Sequence, residues 1–113
     1  MRDIIPLKFI HGDLYSYGLK YKNVVISSDL EYIPPINNQY LENLDLWVME
    51  CNNIEYKDNG GHTFLEQVLE RIKQFKPKKA ILTHFSWQWD YETMSKKLPD
   101  NVIMAWDGME VEV

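Results

Sequence analysis

Apolar and polar positions along the chain alternate with two periods, and the change of period separates strands from helices. Leu7-Lys8-Phe9-Ile10-His11 reads as a short strand stopped by Gly12-Asp13, and Tyr15–Tyr21 alternates as a half-exposed strand. Lys22-Asn23 is a tight connection into Val24-Val25-Ile26-Ser27-Ser28, a β-branched run of the kind buried on both faces. Asp29 ends that run, Pro34-Pro35 stops any extension, and a short helix is expected over Asn38–Asn43. Leu46–Cys51 is a second strand of the buried kind, followed by a polar loop through Asn59-Gly60-Gly61. Thr63 and Glu66 then have the spacing of a capping box. Phe64, Leu65, Val68, Leu69, Ile72 and Phe75 follow as a stripe at helical spacing. Pro77 separates this helix from the strand Lys79–Thr83, which ends at His84. A second helix is expected over Tyr91–Lys97. The tail, Val102–Trp106, Asp107-Gly108 and Met109–Val113, reads as a two-residue hairpin. Strands interspersed with helices predict a layered α/β or α+β arrangement.

Composition narrows the function classes. A chain of 113 residues suits one domain, residues 1–113, with an ordinary globular balance of 45% hydrophobic and 26% charged residues. Twelve Lys and Arg against 17 Asp and Glu leave a net charge of −5, which argues against a generic basic nucleic-acid surface. No apolar run approaches the ~20 residues of a membrane span. The start, Met1-Arg2-Asp3-Ile4-Ile5-Pro6, lacks a signal-peptide pattern. A cytoplasmic protein without a membrane segment is therefore expected. One cysteine, Cys51, excludes an intramolecular disulfide framework and reads as a small buried apolar side chain.

Three strands end in a residue able to bind metal: His11, Asp29 and His84. Sites gather where several strands finish, because rigid elements hold side chains more precisely than loops do. Two imidazoles and a carboxylate suit Zn²⁺, Mn²⁺ or Fe²⁺ and leave coordination positions open. Each residue taken singly reads first as an ordinary strand-end polar group, and it is the threefold repetition that suggests a metal. His62 follows Gly60-Gly61 at the start of the strongest helix, where an anion such as phosphate is favoured. It either serves a phosphoryl group there as proton donor or is a solvated loop residue. Arg71, Lys73, Lys76, Lys78 and Lys79 concentrate positive charge at that helix's end, where cations complement the dipole. Phe85, Trp87, Trp89 and Tyr91 read as packing residues or a pocket lining, and Asp107 as a turn residue.

The order of Ile10-His11-Gly12-Asp13, Val24–Asp29, Gly61-His62-Thr63-Phe64-Leu65-Glu66, Ile81-Leu82-Thr83-His84 and Ala105-Trp106-Asp107-Gly108-Met109 resembles the metallo-β-lactamase superfamily. The branch it most resembles is the phosphodiesterases associated with the carbon–phosphorus lyase pathway, which in turn resemble long tRNA-processing endonucleases. The resemblance runs from about Pro6 to Val113 and implies one half of an αββα sandwich: a mixed sheet with helices on one face. It implies a divalent metal, with Zn²⁺ first and Mn²⁺ or Fe²⁺ as alternatives. His11 would be a ligand to a first metal, His84 to a second and Asp29 the bridging carboxylate, while His62 would be a non-ligand histidine near the scissile phosphate. The family's H-x-H-x-D-H motif is missing, and the chain has only 3 histidines. The implied identity is thus the C-terminal half of a metal-dependent hydrolase of phosphodiesters, with a nucleotide or nucleic acid among the implied substrates, and with half of its metal site. Completion by a homodimer or by a separate chain carrying the N-terminal half is expected. The alternative is a non-catalytic remnant that binds or supports.

Overall fold

The computed structural model describes residues 3–27, 30–52, 64–85 and 90–112. Six strands form one mixed sheet in chain order: β1 (Ile4–His11), β2 (Leu14–Tyr21), β3 (Val24–Ile26), β4 (Leu46–Glu50), β5 (Ala80–Thr83) and β6 (Val102–Met104). The first two connections are tight hairpins, so β1, β2 and β3 pair antiparallel. Gly12 at φ 58° and Lys22 at φ 53° supply the left-handed residues that such turns require. From β3 onward every pairing is parallel, and each connection must cross over. A 3-10 helix (Pro35–Tyr40) lies in the first crossover, α1 (Leu65–Phe75) in the second and α2 (Tyr91–Ser95) in the third.

The alternation of β1 and β2 is explained by one covered face. Leu7 and Phe9 of β1, Val25 of β3, Trp47 and Met49 of β4, and Ala80 and Leu82 of β5 are all buried on the same side. Val68 and Ile72 of α1 and Leu30, Leu41 and Leu44 of the first crossover close over them. Trp47 fills the centre, edge-on to Phe75 at 5.7 Å, and its indole N–H donates to Ser27 Oγ at 2.8 Å. That hydroxyl donates in turn to the Val48 carbonyl at 3.3 Å, so this buried polar pair is satisfied. The first crossover also shields the free edge of β1. The Asn37 side-chain amide donates to the Lys8 carbonyl at 2.7 Å, and Ile10 exchanges backbone hydrogen bonds with Glu31 and Tyr32.

The other face of the sheet is largely bare. Tyr15, Tyr17 and Leu19 of β2 are 63%, 62% and 48% exposed, and Ile26 of β3 is 54% exposed. The β-branched strand Val24–Ile26 is therefore not buried on both faces as the composition of its run predicts. Over β4 and β5 the same face is covered by the tail. Leu46 and Ile81 are buried there, and Trp106, Met109 and Val111 line a groove of about 340 Å³ with Val24, Ile26 and Val48. The expected tail hairpin does not form. The turn is present, with Met109 N donating to the Trp106 carbonyl at 3.0 Å and Gly108 at φ 84°. Residues 109–112 make no strand beyond it; Met109 and Val111 instead line the groove beside β4 and β5. The first-crossover helix lies earlier than Asn38–Asn43, consistent with the preference of Pro35 for a first helical position. α1 also starts later than the Thr63–Glu66 pattern predicts. Its N-cap is Phe64, whose backbone N–H donates to the Gln67 side chain at 3.3 Å, while Thr63 lies outside the described residues.

Candidate active site at the strand-end edge

Because β1 and β3 both run opposite to β2, and β4, β5 and β6 run parallel to β3, the carboxyl ends of five strands share one edge of the sheet. His11 closes β1, Glu50 closes β4, and His84 follows Thr83 of β5. The two sequence-predicted histidines therefore reach the same edge, His11 half-buried and His84 exposed. Four strand spacings separate β1 from β5 in the sheet order, about 19 Å if the sheet were flat. Asp29 and His62 lie outside the described residues. Among the described residues no three His, Cys, Asp or Glu side chains gather into a metal-binding group.

Hydrogen bonds tie this edge together between β4 and β5. His84 has a left-handed backbone, φ 63°, a conformation that costs a residue with a Cβ roughly 1 kcal/mol. Such outliers concentrate at functional sites. Asn52 holds the turned backbone from the neighbouring strand end, its amide donating to the His84 carbonyl at 3.1 Å. The Cys51 backbone N–H donates to the Thr83 carbonyl at 2.9 Å and extends the β4–β5 ladder to this point. The result is an imidazole that stands out from the sheet, its side chain 45% exposed, with Nε2 3.9 Å from the carboxylate of Glu50. That separation is an ion-pair distance and too long for a hydrogen bond.

Glu50 is the residue that sequence reasoning missed. Its side chain is fully buried, and burying a carboxylate costs several kcal/mol unless other groups offset it. The one signal in the sequence was a charged residue closing an otherwise apolar strand; in the fold Glu50 pairs with Thr83 and continues the Leu46–Val48 face of β4. Next to it, Cys51 is fully buried. Burial pushes its thiol up from 9.0 to about 12, the neighbouring Glu50 charge raises it further, and Arg71 opposes both. This suits the small buried side chain read from the sequence and rules Cys51 out as a nucleophile near neutral pH. Arg71, expected as a cation on a solvated helix end, instead donates from its guanidinium to the Glu31 carbonyl at 2.7 Å. Burial lowers its pKa, against the opposing influence of the Glu50 charge. Of the aromatic set, Phe85 packs against the core, Tyr91 is exposed, and Trp87 and Trp89 lie outside the described residues. Asp107 lies in the tail's turn, as expected.

No protein-family model and no curated protein matches the chain. Solved structures do. A diphosphatase from the PhnP family superposes with a TM-score of 0.91 at 25% identity, over 97% of this chain and 43% of its own. The short form of human tRNase Z superposes with a TM-score of 0.69 at 19% identity, over 94% of this chain and 41% of its own. The metallo-β-lactamase-fold protein YhfI from Bacillus subtilis gives 0.66 at 21%, over 94% and 47%. The chain spans less than half the length of each of these structures. The mixed sheet with helices on one face, expected from the sequence, is thus the fold of the metallo-β-lactamase superfamily.

Proposed function

We propose that this chain is part of a metal-dependent hydrolase acting on a phosphodiester or phosphoanhydride, with its site at the strand-end edge. The observation that carries the reading is the superposition of nearly the whole chain on a diphosphatase, at 25% identity and a TM-score of 0.91. The donor chemistry of the edge agrees with it: His11 and His84 present imidazoles at one end of the sheet, and the sequence adds Asp29 just after β3, between them in strand order. These residues would hold a divalent ion, Zn²⁺ suiting this donor set best, which when bound would supply Lewis acidity toward a phosphoryl oxygen. His84 presents its ring from a fixed backbone, and Asn52 keeps that backbone turned. His62, in the sequence just ahead of α1, would orient the phosphate or give a proton to the leaving oxygen.

The bare sheet face belongs to the same proposal. It is the docking surface for a second sheet, brought either by a polypeptide with the H-x-H-x-D-H ligands or by another copy of this chain. Exposed tyrosines and aliphatics in a contiguous patch are seldom left in water by a soluble monomer.

Metal analysis of the purified chain after Zn²⁺ or Mn²⁺ loading, followed by hydrolysis assays on a chromogenic phosphodiester, tests the reading. Bound metal that falls most on Asp29→Ala is expected, since this change removes the only carboxylate of the three ligands. His62→Ala is expected to lower turnover of the completed site while metal content stays near normal. A chain that takes up no metal, alone or with a partner, would overturn the hydrolase reading and leave a binding module.

A further inference from the structure

Arg71 differs from the other cations of α1 in where its charge is held. Its guanidinium has five N–H donors in a rigid fork, and among the described residues one acceptor engages it, the Glu31 carbonyl at 2.7 Å. Arg71 also lines a cleft of about 270 Å³ between α1 and the first crossover, shared with Tyr32, Asn38, Gln74 and Phe75. The side chains of Tyr32, Asn38 and Gln74 add a hydroxyl and two amides. Among the described residues that line the cleft, none is acidic, although the chain as a whole carries a net charge of −5. Arg71 is half-buried, and a charge drawn partly out of water favours a counter-charge or hydrogen bonds. Among the described residues no carboxylate forms an ion pair with Arg71.

We propose that this cleft is a binding site for a small phosphate-type oxyanion, with Arg71 as its anchor and Asn38 and Gln74 as flanking donors. The guanidinium fork matches two oxygens of a tetrahedral anion at once, which a lysine cannot do. Neighbouring Phe75 and Ile33 add apolar lining to the cleft. The cleft lies on the helix side of the sheet, and the inference does not depend on the hydrolase reading.

The test is a titration of the metal-free full chain, in EDTA, with inorganic phosphate at constant ionic strength. The Arg71 Nε–H and the Asn38 and Gln74 side-chain amides are followed by ¹⁵N NMR. Saturable shifts at these three groups are expected, weakened roughly tenfold by Arg71→Gln and less by Gln74→Ala, in line with the cost of losing hydrogen bonds to a charged group. Gln74 is exposed, so its variant keeps the fold if Arg71→Gln does not. Shifts that do not saturate, shifts confined to His11 and His84, or an affinity unchanged in Gln74→Ala and Arg71→Lys would each overturn the proposal. Acetate binding as well as phosphate would overturn the assignment to a phosphate-type anion. Failure here would leave the metal-loading experiments untouched.

Discussion

A methyl group at Gly18 would have nowhere to go. An added Cβ would lie 2.6 Å from a ring carbon of Phe9 and 2.8 Å from the Ile26 carbonyl oxygen. The ring can shift a little, but the carbonyl belongs to the β2–β3 ladder and cannot. Gly18→Ala is therefore expected to destabilise the fold by about 2 kcal/mol, the range of overpacked cores, read as a lower urea midpoint at an unchanged m-value. Cys51 gives a second residue-level expectation. The folded state keeps the thiol protonated until about pH 12, whereas its ordinary value is 9.0. Below pH 9 both states are protonated and the group's contribution is fully present. As pH rises from 9 toward 12 the unfolded chain ionises and the folded one does not, so stability falls across that window. Denaturation at stepwise pH checks the sign, and Cys51→Ala should flatten that part of the profile. In the folded chain at pH 8, Cys51 should also react with a thiol reagent only at the rate of unfolding.

At the scale of elements, α1 shows what its sequence settles and what packing adds. The stripe of Val68 and Ile72 faces the core, and Leu65, Leu69 and Phe75 pack beside them, so helix and buried face follow from periodicity alone. The two ends are less well served. The N-cap is Phe64, which has no side-chain acceptor for the first N–H groups. The C-cap, Lys76, adopts a left-handed conformation, φ 53°. Glycine takes that conformation without a Cβ penalty. Lys76→Gly is expected to stabilise the protein by about 0.5–1 kcal/mol, visible as a higher Tm of a few degrees. No gain, with the helix intact by circular dichroism, would mean that the Lys76 side chain contributes contacts of its own.

At the scale of the whole molecule, the decisive feature is the asymmetry of the sheet. One face carries a closed core, while the other is covered only over β4 and β5, where the tail crosses it. Sedimentation equilibrium at micromolar concentration should show self-association, or a stoichiometric complex once the complementary half is supplied. Tyr17→Lys, on the bare face and 62% exposed, should weaken that association without lowering the stability of the isolated chain by more than about 0.5 kcal/mol. A well-behaved monomer that ignores any partner would remove the docking proposal.

The positions of all six strands and both α-helices were legible in the alternation of apolar and polar residues, because a side chain's preference for water or core acts locally and repeats with the period of the element. The arrival of His11 and His84 at one edge of the sheet was legible for a related reason: a polar residue that ends an apolar strand interrupts the pattern. The sequence could not show that Glu50 is buried beside His84, since burial of a charge depends on which strand end it meets across the ladder. Nor could it show that Arg71 leaves the helix dipole for a cleft beside the first crossover, or that the tail crosses the sheet face. Those outcomes depend on contacts between residues far apart in the chain: Arg71 with Glu31, His84 with Asn52, and Met109 with the strands beneath it. Periodicity decides which side chains turn inward; only the tertiary structure decides what they meet.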